Sequence, residues 1–314
     1  MNPVILPVQK NLIVAELTED KIVRFTNKNR KIVYSVTAHD SPNTMREIGR
    51  LRELSYREAG SGTGKDCDVD SFDTSEKPYN QLIVWDPKDK EILGGYRYIV
   101  CRDAAVDENG EIIIGTARLF DFSENFKINY LPYSIELGRS FIQPAYQSSR
   151  VDYKNLFVLD NLWDGLGALV VKHPDTRYFI GQVSIYTGYN REARDMILFF
   201  LRKFFPDTEN LVWAKNPVTL DTSQDVLNKV FTGRNFRDNY RILSREVRTL
   251  KEKIPPLVNT YINTSSMMRT FGTTVNPFFE NMEDTGLMIP IEDIYEAKKN
   301  RHISTYISYL LQRI

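Results

Sequence analysis

Three clusters of residues have the types and spacing to do chemistry. The run Ile135-Glu136-Leu137-Gly138-Arg139 sets an acid and a guanidinium three positions apart in a stretch that is otherwise apolar. Buried charge is costly unless it is paired. In a regular strand the two side chains would point to opposite faces, but Gly138 between them readily permits a bulge that turns both to one side. A bulged strand beside a cleft is a candidate active site; an edge strand whose charges meet water, or a structural ion pair, is the plain alternative. The run DCDVDSFD carries Asp66, Asp68, Asp70 and Asp73. Neither the glycine nor the glutamate that a calcium loop requires is in register, so no metal is expected, and carboxylates facing arginines or a solvated loop fit better. In Gly94-Gly95-Tyr96-Arg97 the paired glycines let backbone approach a neighbour closely and put Arg97 on a strand; an outward-facing arginine on a hairpin is the common alternative. There is no G-x-S-x-G elbow, and neither Cys67 nor Cys101 has a histidine near it in sequence. Direct transfer without a covalent enzyme intermediate is therefore the simpler chemistry. Nucleotide-phosphate binding is unsupported, since neither a P-loop nor G-x-G-x-x-G occurs.

The elements that must position these groups can be read from periodicity. IVRF at 22–25 and KIVYSVT at 31–37, separated by TNKNR, predict an entering hairpin. Met45, Ile48, Leu51, Leu54 and Tyr56 predict an amphipathic helix over 43–59 that carries Arg52 and ends at Gly60. QLIVWD at 81–86 and ILGGYRYIVC at 92–101 predict a second hairpin, and 112–118 and 134–142 two further strands. Leu156, Leu159, Trp163, Leu166 and Val170 share one helical face, followed by an apolar strand at 177–186 and a helix at 190–205 stopped by Pro206. The polar, charged segment 214–253 reads as a helical insertion, 254–262 as a short helix opened by prolines, 285–291 as a strand, and 293–314 as a terminal helix. The sum is an α+β fold, a mixed and mostly antiparallel central sheet flanked by helices, in a single domain over 1–314.

The bulk numbers narrow the partners. Lys plus Arg equals Asp plus Glu at 41 each, so no global field draws the protein to nucleic acid, and an electrostatic partner must be met by a local patch. Two cysteines and three scattered histidines are too few for a disulfide framework or a zinc site. MNPVILPVQK lacks a signal-peptide profile and no run approaches the roughly 18 apolar residues of a spanning helix, so a cytoplasmic protein is expected.

In chain order, Arg52 with Tyr56 four residues on, Asp70-Ser71-Phe72-Asp73, Arg97 and Glu136-Leu137-Gly138-Arg139 resemble the charged series of acyl-homoserine-lactone synthases. More of the chain resembles their relatives, the acyl-carrier-protein-dependent amino acid N-acyltransferases of ornithine- and glycine-lipid biosynthesis, often labelled hemolysin-like. The matching stretches are ELGRSFIQPAY at 136–146, LDNLWDGLGALV at 159–170, RYFIGQVSI at 177–185, IPPLVNTYI at 254–262 and NPFFENMEDTGLMIPI at 276–291, spread over most of 46–291. The resemblance implies a GNAT fold, whose central strands splay to admit the pantetheine arm of a thioester. It also implies that Glu136, Arg139, Arg97, Arg52, Asp70 and Asp73 form a charged cluster around the acceptor and the acyl carbonyl. The glycine-rich phosphate loop usual in GNAT proteins is absent, the chain reading QPAYQSSRVDYKN instead. Coenzyme A thus has no obvious cradle, whereas Arg150 and Lys154, with Lys172 and Arg177, are suited to the acidic surface of a carrier protein.

The expected reaction moves a (3-hydroxy)fatty acyl group from an acyl-phosphopantetheine thioester on acyl carrier protein, or from acyl-CoA, to the α-amine of glycine or ornithine, giving a lyso-aminolipid with no permanently bound cofactor. Glu136 is the candidate base for the amine, and Arg139 and Arg97 are candidate clamps for the acceptor's carboxylate. Backbone N–H groups near Phe141 and Ile142 are candidates for the oxyanion. Trp163, with Phe157, Tyr178 and Phe179, is a candidate lining for the acyl chain, although aromatic residues at helical spacing are more often plain core. The pattern Ile303, Ile307, Leu310, Leu311 and Ile314 would suit peripheral contact with the inner membrane, with packing against the domain as the preferred reading. Two alternatives remain: a homoserine-lactone-type signal synthase using S-adenosylmethionine, and a membrane-damaging or lipid-binding protein without catalysis.

Overall fold

The computed structural model describes residues 1–147 and 157–311. The first half of the chain runs α1 (Lys10–Glu16), β1 (Ile22–Phe25), β2 (Ile32–Val36), α2 (Pro42–Glu58), α3 (Ser71–Thr74), β3 (Asn80–Asp86), β4 (Glu91–Val100), β5 (Phe120–Phe122), α4 (Glu124–Asn129) and β6 (Ser134–Ile142). The second half runs α5 (Val158–Lys172), β7 (Tyr178–Ile185), α6 (Arg191–Phe204), β8 (Val212–Ala214), α7 (Gln224–Val230), α8 (Phe236–Thr249), α9 (Pro256–Ile262), β9 (Arg269–Asn276), β10 (Met282–Pro290), α10 (Glu296–Lys298) and α11 (Thr305–Leu311). A π-helical stretch, Lys299–Ser304, joins the last two helices. The chain forms two compact units, one made of Met1–Gly115, Pro132–Arg177 and Tyr295–Ile314, the other of Thr116–Leu131 and Tyr178–Ile294.

The first unit is built on the antiparallel sheet β1-β2-β3-β4-β6. Helices α1 and α2 cover one face, where Ile13, Met45, Ile48 and Leu51 pack with Tyr34, Ile83, Trp85 and Phe141. Each such fully buried apolar side chain contributes roughly 1.5–3 kcal/mol. Helix α2 starts at Pro42 without a side-chain cap of its own, and Glu16 supplies one: its carboxylate accepts from the N–H groups of Asn43 (2.9 Å) and Thr44 (2.7 Å). Helix α5 covers the other face, where a Cβ on Gly165 would meet Leu82 at 2.7 Å and one on Gly94 would meet Val158 at 3.4 Å.

A buried polar network lies on the α5 face. Asp164 accepts from Asn27 N and Nδ2, both at 2.7 Å, and pairs with His302 Nδ1 at 2.7 Å. Arg24, 2% exposed, donates to the His302 carbonyl at 2.9 Å and to Asn27 Oδ1 at 2.9 Å. The π-helical stretch comes so close to α5 that a Cβ on Gly167 would stand 2.4 Å from the His302 carbonyl. The buried face of the terminal helix is therefore His302 and Tyr306, whereas Ile307, Leu310 and Leu311 are exposed, which corrects the expectation that the isoleucine-leucine pattern packs inward. The polar network outranks the apolar stripe because unpaired buried charge costs more than a few exposed methyls.

The second unit contains the antiparallel sheet β7-β10-β9 and the short pair β5-β8. Strand β9 was not expected: Gly272 at φ 84° and the register shift opposite Gly286 break the alternation that would announce it. The expected strand at 112–118 is instead an isolated bridge, Val106 with Ile112, and a 3₁₀ turn over Thr116–Arg118. Segment 214–253 holds α7 and α8, and α8 packs Leu243 and Val247 inward. Among the described residues no helix is long and apolar enough to cross a membrane.

Candidate active site

The charged residues singled out above meet on the α2 face of the first sheet. Pairing of Gln81 with Arg97, and of Arg97 with Gly138, brings the side chains of β3, β4 and β6 into one row. A Cβ on Gly138 would lie 3.5 Å from Arg97 Nε, an ordinary contact distance, so the guanidinium runs beside the glycine. Past this point the register slips: Gly95 pairs with Phe141, so two residues, Arg139 and Ser140, oppose Tyr96 alone. The bulge is the expected one, but the left-handed backbone falls on Arg139 itself, at φ 49°, rather than on Gly138. Such a conformation costs a non-glycine residue about 1–2 kcal/mol and holds only where its surroundings fix it.

Three guanidiniums face three aspartates here. Arg52, fully buried, lies 3.2 Å from Asp73 and hydrogen-bonds Gln81. Arg97, 5% exposed, donates through Nη1 to both oxygens of Asp70 (2.8 and 2.9 Å), lies 3.5 Å from Asp73, and sits over the rings of Phe72 and Tyr79 at 5.2 and 5.1 Å. Arg139 Nε is 3.0 Å from Asp68 and its Nη2 3.4 Å from Asp70. The Arg139–Asp68 contact is close but off the hydrogen-bonding angle. With a fifth of its side chain open, Arg139 is the most accessible of the three guanidiniums. Asp70 and Asp73 also shape their own backbone, since Asp70 caps α3 by accepting from Phe72 N and Asp73 accepts from Asp70 N, a reciprocal capping box. Burial alone would raise the Asp70 pKa, but Arg97, Arg139 and Arg52 outweigh it and hold the carboxyl at about 2.

Glu136 occupies the same row, 3% exposed. Its Oε2 accepts a hydrogen bond from the Tyr79 hydroxyl and another from the Gly115 N–H at 3.1 Å, while that N–H also reaches Tyr79 Oη at 3.0 Å. Burial first, and then the Glu136 charge, push the Tyr79 phenol well above its usual pKa, so Tyr79 stays a neutral donor. Tyr79 thus stands between Arg97, stacked on its ring, and Glu136, bonded to its hydroxyl.

Six predicted residues, Arg52, Asp70, Asp73, Arg97, Glu136 and Arg139, are accordingly brought together. Phe141 is not part of the charged row: its ring joins the α2 core. The Ile142 carbonyl accepts from Ser55 Oγ at 2.9 Å and Gln147 Nε2 at 2.6 Å. Trp163 lies on the opposite, α5 side, with Lys298 Nζ 4.2 Å from its ring centre and His302 beside it, because the helical stripe that carries it faces the terminal helix. Arg150 and Lys154 fall outside the described residues. Tyr79, Gln81 and Gly115 were not anticipated; the one signal was Gln81, a polar residue at the start of an otherwise apolar run, with Tyr79 two positions earlier on the same side. Among the described residues no group of three or more His, Cys, Asp or Glu side chains is arranged to hold a metal ion.

Residues 51–155 match the family described as "Acetyltransferase (GNAT) domain". A glycine N(alpha)-acyltransferase of Bacteroides thetaiotaomicron is 51% identical over 98% of this chain and 91% of its own, and one of Phocaeicola vulgatus is 48% identical over 98% and 94%. Among solved structures, the AHL synthase LasI aligns over 49% of this chain and 72% of its own at 14% identity, with a TM-score of 0.34.

Proposed function

Because this chain belongs to the same family as the two glycine N(alpha)-acyltransferases and is an acyltransferase of GNAT type, we propose that it transfers a long-chain fatty acyl group from an acyl-carrier-protein thioester to the α-amine of glycine. The product is an N-acylglycine, a lyso-aminolipid. The near full-length similarity to those two relatives carries this reading. The acceptor's nitrogen attacks the thioester carbonyl, the C–N bond forms, the C–S bond breaks, and the carrier thiolate leaves. Glu136 receives the amine's proton, directly or through water, with Tyr79 and the Gly115 N–H orienting its carboxylate. Arg139, the most accessible guanidinium and only loosely matched to Asp68, holds the glycine carboxylate, while Arg97 and Arg52 fix the aspartates behind it. Asp70 and Asp73 are engaged by Arg97 and Arg52, so these two acids are not open to a second, cationic amine, which favours glycine over ornithine.

The test is direct. Purified protein is given 3-hydroxypalmitoyl carrier protein or 3-hydroxypalmitoyl-CoA with glycine, ornithine, serine or S-adenosylmethionine, and products are weighed by mass spectrometry. N-acylglycine as the main product is expected. Acyl-ornithine or a homoserine lactone in its place, or vesicle leakage without any acyl donor, overturns the proposal.

A further inference from the structure

Helix α8 carries a charge pattern that the chain as a whole does not. The protein is formally neutral, yet Arg237, Arg241, Arg245 and Arg248 follow one another at four, four and three residues, with Lys251 and Lys253 just beyond the helix. At 100° per residue the four arginines fall within a wedge of about 80°, a stripe about 16 Å long at 1.5 Å per residue. The opposite side of the helix is the buried one, formed by Asn239, Leu243 and Val247, with Phe236 and Tyr240 against Phe200. Packing of that side presents the stripe outward: Arg241 and Arg245 have side chains 67% and 72% exposed. Its internal neutralisation is slight, consisting of Asp238 at 3.9 Å from Arg241 and Glu246 at 2.6 Å from Arg245. Between the arginines lies a shallow hollow of about 520 Å³ lined by Tyr240, Ser244 and Thr249 as well as by Arg241, Arg245 and Arg248.

We infer that the arginine face of α8 is a docking surface for the acidic carrier protein that delivers the acyl thioester. This rests on the donor assigned above. A row of guanidiniums on a rigid helix matches the row of carboxylates on a small acidic helical protein, and such rim charges act mainly on encounter and salt dependence. A membrane surface fits less well, because the stripe has no large exposed apolar side chain among its residues to enter a lipid interface. Nucleic acid fits less well because the chain as a whole is formally neutral and supplies no wider field for a long polyanion.

The variant R237E/R241E/R245E reverses the stripe, with only the change at 237 falling in the first turn of α8, where the helix dipole favours an acid; R237Q/R241Q/R245Q is its neutral companion. Initial rates are measured with acyl carrier protein and, separately, with the same acyl group on CoA. The expected result is a KM for acyl carrier protein raised about tenfold or more by reversal and less by neutralisation, kcat little changed, a weaker salt dependence, and unchanged kinetics with acyl-CoA. An unchanged KM for the carrier overturns the inference, and so does an equal loss with both donors, which would report damage to the fold. Sedimentation with phosphatidylglycerol vesicles that is abolished by the variants while carrier kinetics stay constant reassigns the face to lipid. A wild-type protein that acylates glycine from CoA and never from the carrier removes the donor and this surface together, yet leaves glycine acylation standing.

Discussion

Two buried ionic networks occupy the two faces of one sheet, and they are built differently. On the α5 side, Arg24, Asn27, Asp164 and His302 hydrogen-bond one another at 2.7–3.4 Å, largely through backbone groups and an amide. On the α2 side, three guanidiniums meet three aspartates at distances that stretch to 3.5 Å, one member carries a left-handed backbone, and that same member is the most open to solvent. A network that serves only to fasten a helix can close completely. One that must exchange a partner for a substrate keeps slack, strain and an opening where the substrate enters. The contrast is the one expected between a structural cluster and the proposed working one.

The comparison can be broken first at its most sensitive point. Glu136→Gln is expected to lower kcat by roughly 10²–10⁴-fold with glycine affinity and melting temperature nearly unchanged, as loss of a general base does; full turnover in this variant removes Glu136 from the reaction. Asp164→Ala should do the reverse. Stranding Arg24 and His302 is expected to cost about 3 kcal/mol in urea unfolding while kcat per folded molecule holds, and lost activity at full stability would show that the α5 network also works in catalysis. The acid limb of stability sharpens the difference further. Asp70 is held at about 2, below an unfolded carboxyl near 4, so its contribution is complete above pH 4 and is lost as the pH falls through 2. That contribution is on the order of 2 kcal/mol, and an Asp70→Asn variant should show a flatter acid-unfolding curve over this window. The smallest effect is expected from Arg139→Lys: a roughly tenfold higher KM for glycine with stability within about 0.5 kcal/mol, since a lysine keeps the charge and loses the paired donors.

Much of this was legible in the sequence, and the limits have physical causes. The amphipathic period of α2, the two N-terminal hairpins and the polar-apolar breaks around β6 announced themselves because each is set by neighbours a few residues apart. The order Arg52, Asp70, Asp73, Arg97, Glu136, Arg139 also pointed to a single gathering of charge. What it did not reveal was Tyr79, because its bond to Glu136 depends on the register of three strands across 57 residues of chain. The bulge lies where Gly138 is read to permit it, but the left-handed residue is Arg139, whose ion pairs hold the strained backbone. Trp163 shows the converse: its helical stripe reads as core more readily than as an acyl slot, and its face turns toward the terminal helix. Periodicity tells which side of a helix is buried and is silent about what buries it.

The fastening of Arg24 to the His302 carbonyl spans 278 positions. During synthesis the first hairpin leaves the ribosome with a guanidinium that can reach only Asn27 and Phe25, its acceptor at His302 not yet made, and Asp164 later waits in the same way for the imidazole. The sheet's second face can therefore be sealed only after residue 302 has emerged. A protease that clipped the chain just before residue 300 would leave every residue of the α2 cluster intact and still expose the charges on the far side of the sheet to a failing core.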